Sequence, residues 1–216
     1  MNASIKICGV KTAEAMNAAS RAGATHIGFN FFKASPRFIA PAHACDLAKL
    51  APNLKSVALS VNADNATLDE IVAQATPEFL QLHGDETLTR VLEVKTRYRL
   101  PVIKAISMVD LNDVQRAHDY ETVADILLFD AKPDMLPGGN GLTFDWHLLS
   151  KQVWTKPWML SGGLTPTNVA HAIHTTHARG VDVSSGVEKS RGEKSEALIE
   201  SFIAAAKNAF AESQLK

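Results

Sequence analysis

Short runs of apolar and β-branched residues recur along the chain: "IKICGV" (5–10), "HIGFNFF" (26–32), "KSVALSV" (55–61), "FLQLHG" (79–84), "VIKAISM" (102–108), "DILLFDA" (125–131), "WMLSGG" (158–163) and "VDVSSGV" (181–187). Runs this short and this rich in Val, Ile and Phe predict buried strands. Between them lie amphipathic stretches such as "TAEAMNAASRAG" and "LDEIVAQAT", with Thr, Asp or Pro near helix starts and Gly near some ends. Strand alternating with helix predicts parallel β-structure with helical crossovers, and eight such units suit a closed (β/α)8 barrel better than an open sheet. No linker, low-complexity tract or charge run interrupts the pattern, so residues 1–216 are expected to form a single α/β barrel domain. The stretch from Lys132 to Thr143, which includes "PGGNG", is long for a connection between strand and helix and is a candidate lid or binding loop.

Composition narrows the function. With 216 residues and 46% apolar content the chain can bury a large core. Its 22 basic and 23 acidic residues give a net charge of -1, which leaves no broad cationic field for nucleic acid or an anionic membrane. An anionic ligand must therefore be bound locally. Cys8 and Cys45 are the only cysteines and form no CxxC pair, which argues against a disulfide framework or a structural zinc site. The start "MNASIKICGV" has no signal-peptide pattern, and no apolar run approaches the ~20 residues of a membrane span. A soluble, cytoplasmic protein is expected.

Barrels of this type carry their active site at the C-terminal ends of the strands. Those ends supply Cys8, Asn30, Asn62, His83, Ser107, Asp130, an "SGG" turn and an "SSG" turn. Strands one and six are three positions apart around an eight-membered ring, so a thiol and a carboxyl group face each other across part of the mouth, a base and an acid for a small substrate. A buried cysteine is otherwise a small hydrophobe. Lys6 shares the strand face of Cys8, where it either favours the thiolate or pairs with an acid inside the barrel. Asp130, after the apolar "ILLF", either keeps its proton in apolar surroundings and serves as an acid or caps the next backbone turn.

"SGGLTP" and "SSGVE" offer small residues whose backbone N–H groups can approach an anion, at the strand ends where many barrels bind phosphate. Arg37, in "KASPRFIAP", is either a carboxylate partner or a solvated loop residue. The histidines of "HAIHTTH" (171, 174 and 177) span a wide helical arc with no carboxylate and are assigned to an exposed helix end, so no metal is required.

Taken in order, "KICGVKTAEAMNAASRAGATHIGFNFFKASPRFI", "LQLHGDE", "GGNGLTFDW", "SGGLTPTNV" and "GVDVSSGVEKSRGEKS" resemble the phosphoribosylanthranilate isomerase family over residues 6–195. The resemblance implies a barrel of the ribulose-phosphate-binding type. It implies an Amadori rearrangement in tryptophan biosynthesis, converting N-(5-phosphoribosyl)anthranilate to the carboxyphenylamino-deoxyribulose phosphate without metal or organic cofactor. It also implies that Cys8 is the general base at C2, that Asp130 is the general acid at the furanose ring oxygen, and that Arg37 holds the anthranilate carboxylate. Gly162, Gly163, Ser185 and Gly186 are then the phosphate site, while His83 and Asp182 point toward the mouth as substrate contacts without a chemical role. Two positions depart from the family pattern: Asn140 stands where a hydroxyl residue is usual, and Ser195 where aspartate is common.

Other readings fit less well. The histidine-pathway isomerase resembles this chain in chemistry but uses aspartates on strands one and five, where this chain has Cys8 and "VIKAISM". A metal-dependent epimerase needs a His and carboxylate cluster at several strand ends. A non-catalytic phosphate-binding barrel has no need of the two proton-transfer groups. The expected partner is a small phosphorylated substrate, and the expected state is a monomer, with a homodimer left open.

Overall fold

Eight parallel strands close into a barrel in sequence order, with the first hydrogen-bonded to the eighth. This computed structural model describes residues 3–131 and 146–214. The strands are β1 (Ser4–Cys8), β2 (His26–Asn30), β3 (Lys55–Ser60), β4 (Phe79–Leu82), β5 (Val102–Met108), β6 (Ile126–Ala131), β7 (Trp158–Leu160) and β8 (Gly180–Val183). Each falls within or overlaps one of the apolar runs. The helices are α1 (Ala13–Ala22), α2 (Pro41–Lys49), α3 (Asn65–Ala75), α4 (Leu88–Tyr98), α5 (Leu111–Tyr120), α6 (His147–Ser150), α7 (Val169–Thr176) and α8 (Glu196–Gln214). The stretch Lys132–Thr143, with Asn140, lies outside the described residues.

Helix boundaries follow side-chain chemistry. Thr12, Asp64 and Thr87 each accept a hydrogen bond from a first-turn backbone N–H, Asp110 and Asp113 form a reciprocal capping box, and Pro41 opens α2. The glycine stop expected at helix ends occurs at Gly23, which caps α1 in the left-handed conformation (φ 86°). Thr76, Arg99 and His177 occupy the same conformation without being glycine. Ser195, one of the departures noted above, precedes α8 and its hydroxyl accepts from the Leu198 N–H.

Alternation divides the core in two. One set of side chains, including Val57, Ile103, Ala105, Leu128 and Met159, packs inside the barrel; a larger layer, including Ile7, Ile27, Phe129, Phe202 and Ile203, lies between the sheet and the helices. The inner positions nearer the mouth are polar: Lys6, Gln81 and Asp182 are all buried. After β8 the chain forms a 3-10 turn (Ser185–Val187) and an antiparallel hairpin of β9 (Glu188–Ser190) and β10 (Glu193–Lys194), which the apolar pattern does not predict.

Candidate active site

A cavity of about 290 Å³ opens at the C-terminal ends of the strands. Its lining includes Cys8, Arg37, His83, Asp130 and Asp182 together with Gly162, Gly163 and Ser185. Thus eight of the nine residues that the family resemblance assigns to the site meet in one place.

Cys8 ends β1 beside Gly28 of β2. A Cβ on Gly28 would stand 2.8 Å from the Cys8 sulfur, so glycine there makes room for the thiol. Gly9 has φ 77°, and a Cβ on it would stand 2.6 Å from Cδ of Arg37. The Cys–Gly step of "KICGV" therefore turns the chain out of β1 while letting the stem of Arg37 cross close above it.

Lys6 does not act on Cys8 alone. Its Nζ lies 2.7 Å from Oδ1 of Asp182, its register partner on β8, with side-chain exposures of 0% and 4%. Burial works against the Lys6 ammonium, but Asp182 and Cys8 outweigh this and hold its pKa above the ordinary lysine value. Burial pushes the Cys8 thiol up; Lys6 pulls it down, Asp182 opposes that pull, and the net direction is upward. Of the two readings of Lys6, the pair with an acid inside the barrel is the one found, and the Cys8 thiol lies above its ordinary pKa. The second carboxylate oxygen of Asp182 accepts from the Ser161 hydroxyl at 3.0 Å, which ties the floor of the site to the start of the SGG turn.

Across the mouth, His83 Nε2 lies 3.2 Å from Oδ2 of Asp130. The Gln81 amide nitrogen donates to His83 Nδ1 at 2.9 Å, so Nε2 carries the hydrogen and donates to Asp130. Asp130 is 28% exposed at its side chain and beside an imidazole, so the apolar surroundings expected from "ILLF" are not found. The alternation of the strand explains this: Phe129 points outward into the helical layer, and Asp130 points to the mouth.

The SGG turn has Gly162 at φ 88° and Gly163 at φ 63°, left-handed values that favour glycine. Asn168 braces it by donating to the Gly163 carbonyl and accepting from the Thr165 N–H. Gly186 is not among the cavity-lining residues. It sits behind the wall against the neighbouring loop, where a Cβ would stand 1.8 Å from the Leu164 carbonyl oxygen. His171 packs against Trp146, His174 pairs with Glu212, and His177 ends α7, so the three histidines serve separate surroundings.

Sequence reasoning missed Glu188. Its carboxylate accepts from Nε of Arg37 at 2.6 Å and from Nη2 at 2.8 Å, so Arg37 is neither solvated nor wholly free. Burial alone would raise the Glu188 pKa, but Arg37, the Gly192 N–H and Lys194 bring it down to about 2. "SSGVE" carries this glutamate, but no one-dimensional pattern pairs it with an arginine 151 positions away.

The N-(5'-phosphoribosyl)anthranilate (PRA) isomerase family model matches residues 5–205. An N-(5'-phosphoribosyl)anthranilate isomerase from Paracoccus denitrificans is 51% identical over 210 residues, covering 95% of this chain and 98% of the relative. The chain belongs to this isomerase family. A family member from Parvibaculum lavamentivorans is 48% identical over 97% of this chain and 100% of its own. Among solved structures, phosphoribosyl anthranilate isomerase from Thermotoga maritima superposes with a TM-score of 0.85 at 35% identity, covering 95% of this chain and 99% of that one. Another solved family member, in complex with reduced 1-(o-carboxyphenylamino)-1-deoxyribulose 5-phosphate, has a TM-score of 0.81 at 31% identity, with 95% of this chain and 99% of that chain covered.

Proposed function

We propose that this protein converts N-(5'-phosphoribosyl)anthranilate to 1-(2-carboxyphenylamino)-1-deoxyribulose 5-phosphate, an Amadori rearrangement in tryptophan biosynthesis, and that residues 1–216 act as one catalytic barrel in the cytoplasm. The observation that carries this reading is a single cavity lined by a thiol, a carboxyl group, an arginine and two glycine-bearing turns in a chain of this family.

In this reading the phosphate sits against Gly162, Gly163 and Ser185, anchoring the substrate away from the reacting bonds. Asp130 gives its proton to the furanose ring oxygen as the C1–O bond breaks, and the nitrogen lone pair forms a C1=N iminium. The His83 N–H then supports the carboxylate left on Asp130. The Cys8 thiolate removes the C2 proton, and the C–H electrons form a C1=C2 bond while the iminium nitrogen recovers its lone pair. The resulting enolamine becomes the 2-ketone by proton transfer to C1. Each positioned transfer contributes about 10²- to 10⁴-fold. Because burial disfavours the thiolate in the free protein, the developing iminium charge beside C2 is what makes it accessible during turnover.

Among the described residues no helix is long and apolar enough to cross a membrane. The Thermotoga maritima enzyme is dimeric; for this chain a monomer is proposed, and a sedimentation mass twice that of one chain would make it a homodimer. Turnover of freshly prepared N-(5'-phosphoribosyl)anthranilate, followed by loss of anthranilate fluorescence, tests the activity. Binding of the reduced product analogue without turnover would point instead to a non-catalytic phosphate-ligand barrel.

A further inference from the structure

The β9–β10 hairpin brings Glu188 onto Arg37 with a specific geometry. The two hydrogen bonds use Nε–H and one N–H of Nη2, the side edge of the guanidinium. Glu188 is itself fixed by the Gly192 N–H at 2.9 Å and by Lys194 Nζ at 3.0 Å, and its side chain is 4% exposed. Arg37 retains 21% exposure and lines the cavity. What remains to it is the end edge, one N–H of Nη2 and the two of Nη1, which is a second fork matched to a carboxylate.

We propose that Glu188 is a positioning residue: it holds Arg37 by the side edge of its guanidinium so that the end edge alone faces the cavity and takes the substrate's aromatic carboxylate as a second two-point pair. This rests on the reading of Arg37 as the carboxylate partner. Two cations, Arg37 and Lys194, share the one anion Glu188, so the cluster carries a net positive charge that an incoming carboxylate neutralises. Without Glu188 the two cations repel each other and Arg37 loses its fixed plane. The hairpin is then a specificity element: it governs discrimination for the ring carboxylate and leaves the proton transfers alone.

The test uses two stable ligands, reduced 1-(o-carboxyphenylamino)-1-deoxyribulose 5-phosphate and its counterpart lacking the ring carboxylate, with affinities measured by calorimetry. The parent protein is expected to prefer the carboxylated ligand by about 100-fold. Glu188→Gln should cut that preference about tenfold, leave the affinity of the other ligand unchanged, and raise KM with kcat nearly constant. Glu188→Asp keeps the charge but withdraws the carboxylate by one methylene, and should show a smaller loss of the same kind; it carries the comparison if Glu188→Gln does not fold. Equal weakening of both ligands would mean the hairpin is only structural, and an unchanged preference in a folded variant would also overturn the proposal. Arg37→Ala separates the two layers. If it leaves the preference intact, the carboxylate reading of Arg37 fails and takes the Glu188 role with it. If it abolishes the preference while Glu188→Gln retains it, Arg37 stands and the positioning role does not.

Discussion

The Lys6 ammonium and the Asp182 carboxylate stand 2.7 Å apart inside the barrel, on adjoining strands and two residues below Cys8 on the β1 face. This pair consumes the positive charge nearest the thiol. Asp182→Asn should leave a buried ammonium without its counter-ion and destabilise the protein by about 3–5 kcal/mol in denaturant unfolding. It should also release Lys6 to act on Cys8, moving the pH at which iodoacetamide alkylates Cys8 downward. An unaltered alkylation profile in a folded variant would show that Asp182 does not govern the thiol.

Cys8→Ser should reduce turnover by orders of magnitude while the product analogue still binds, because a hydroxyl provides no anionic base near neutral pH. Cys45, half-buried in α2, should accept Ala with little kinetic effect. Near-parental kcat for Cys8→Ser, with loss for Cys45→Ala, would reverse the assignment.

Burial raises the Cys8 pKa above its ordinary value, so the thiolate that serves as base forms only toward alkaline pH and kcat/KM should climb with pH through that range. Asp130→Asn should abolish most turnover and spare binding. A rate independent of pH between 6 and 9 would remove Cys8 as the base.

The two glycine turns should respond differently. Gly163→Val strains a left-handed position at the cavity wall and should raise KM, with competition by inorganic phosphate weakened in parallel. Gly186→Ala forces the Leu164 carbonyl to move, so it should lower the melting temperature as well as phosphate affinity. Parental values in both variants would place the anion elsewhere.

Acid should weaken the fold in two windows. Burial, with Lys55 and Lys6 nearby, lowers the His26 pKa to about 4. The unfolded chain takes up this proton near pH 6.5 and the folded chain does not, so stability is full above that pH. It falls on acidification by up to roughly 1.4 kcal/mol per unit, about 3 kcal/mol in all. Glu188, depressed to about 2, contributes stability above the ordinary glutamate range that is lost as pH falls toward 2. Urea unfolding of the parent and of His26→Gln should differ in slope between pH 6.5 and 4; identical slopes would mean that His26 is not a buried neutral group.

Periodicity along the chain determined the strand and helix alternation, the barrel, and hence which residues end strands. A side chain's face on a strand follows from counting by two, and so Cys8, His83, Asp130 and the SGG and SSG turns were legible before any coordinate. Pairings across the barrel were not. Lys6 with Asp182, His83 with Asp130, and Glu188 with Arg37 join residues on different strands and loops, and they depend on register and on a hairpin too short and polar to leave an apolar trace. The thiol's protonation state likewise followed from tertiary structure alone, because burial and a neighbour's counter-ion set it, and local sequence contains neither.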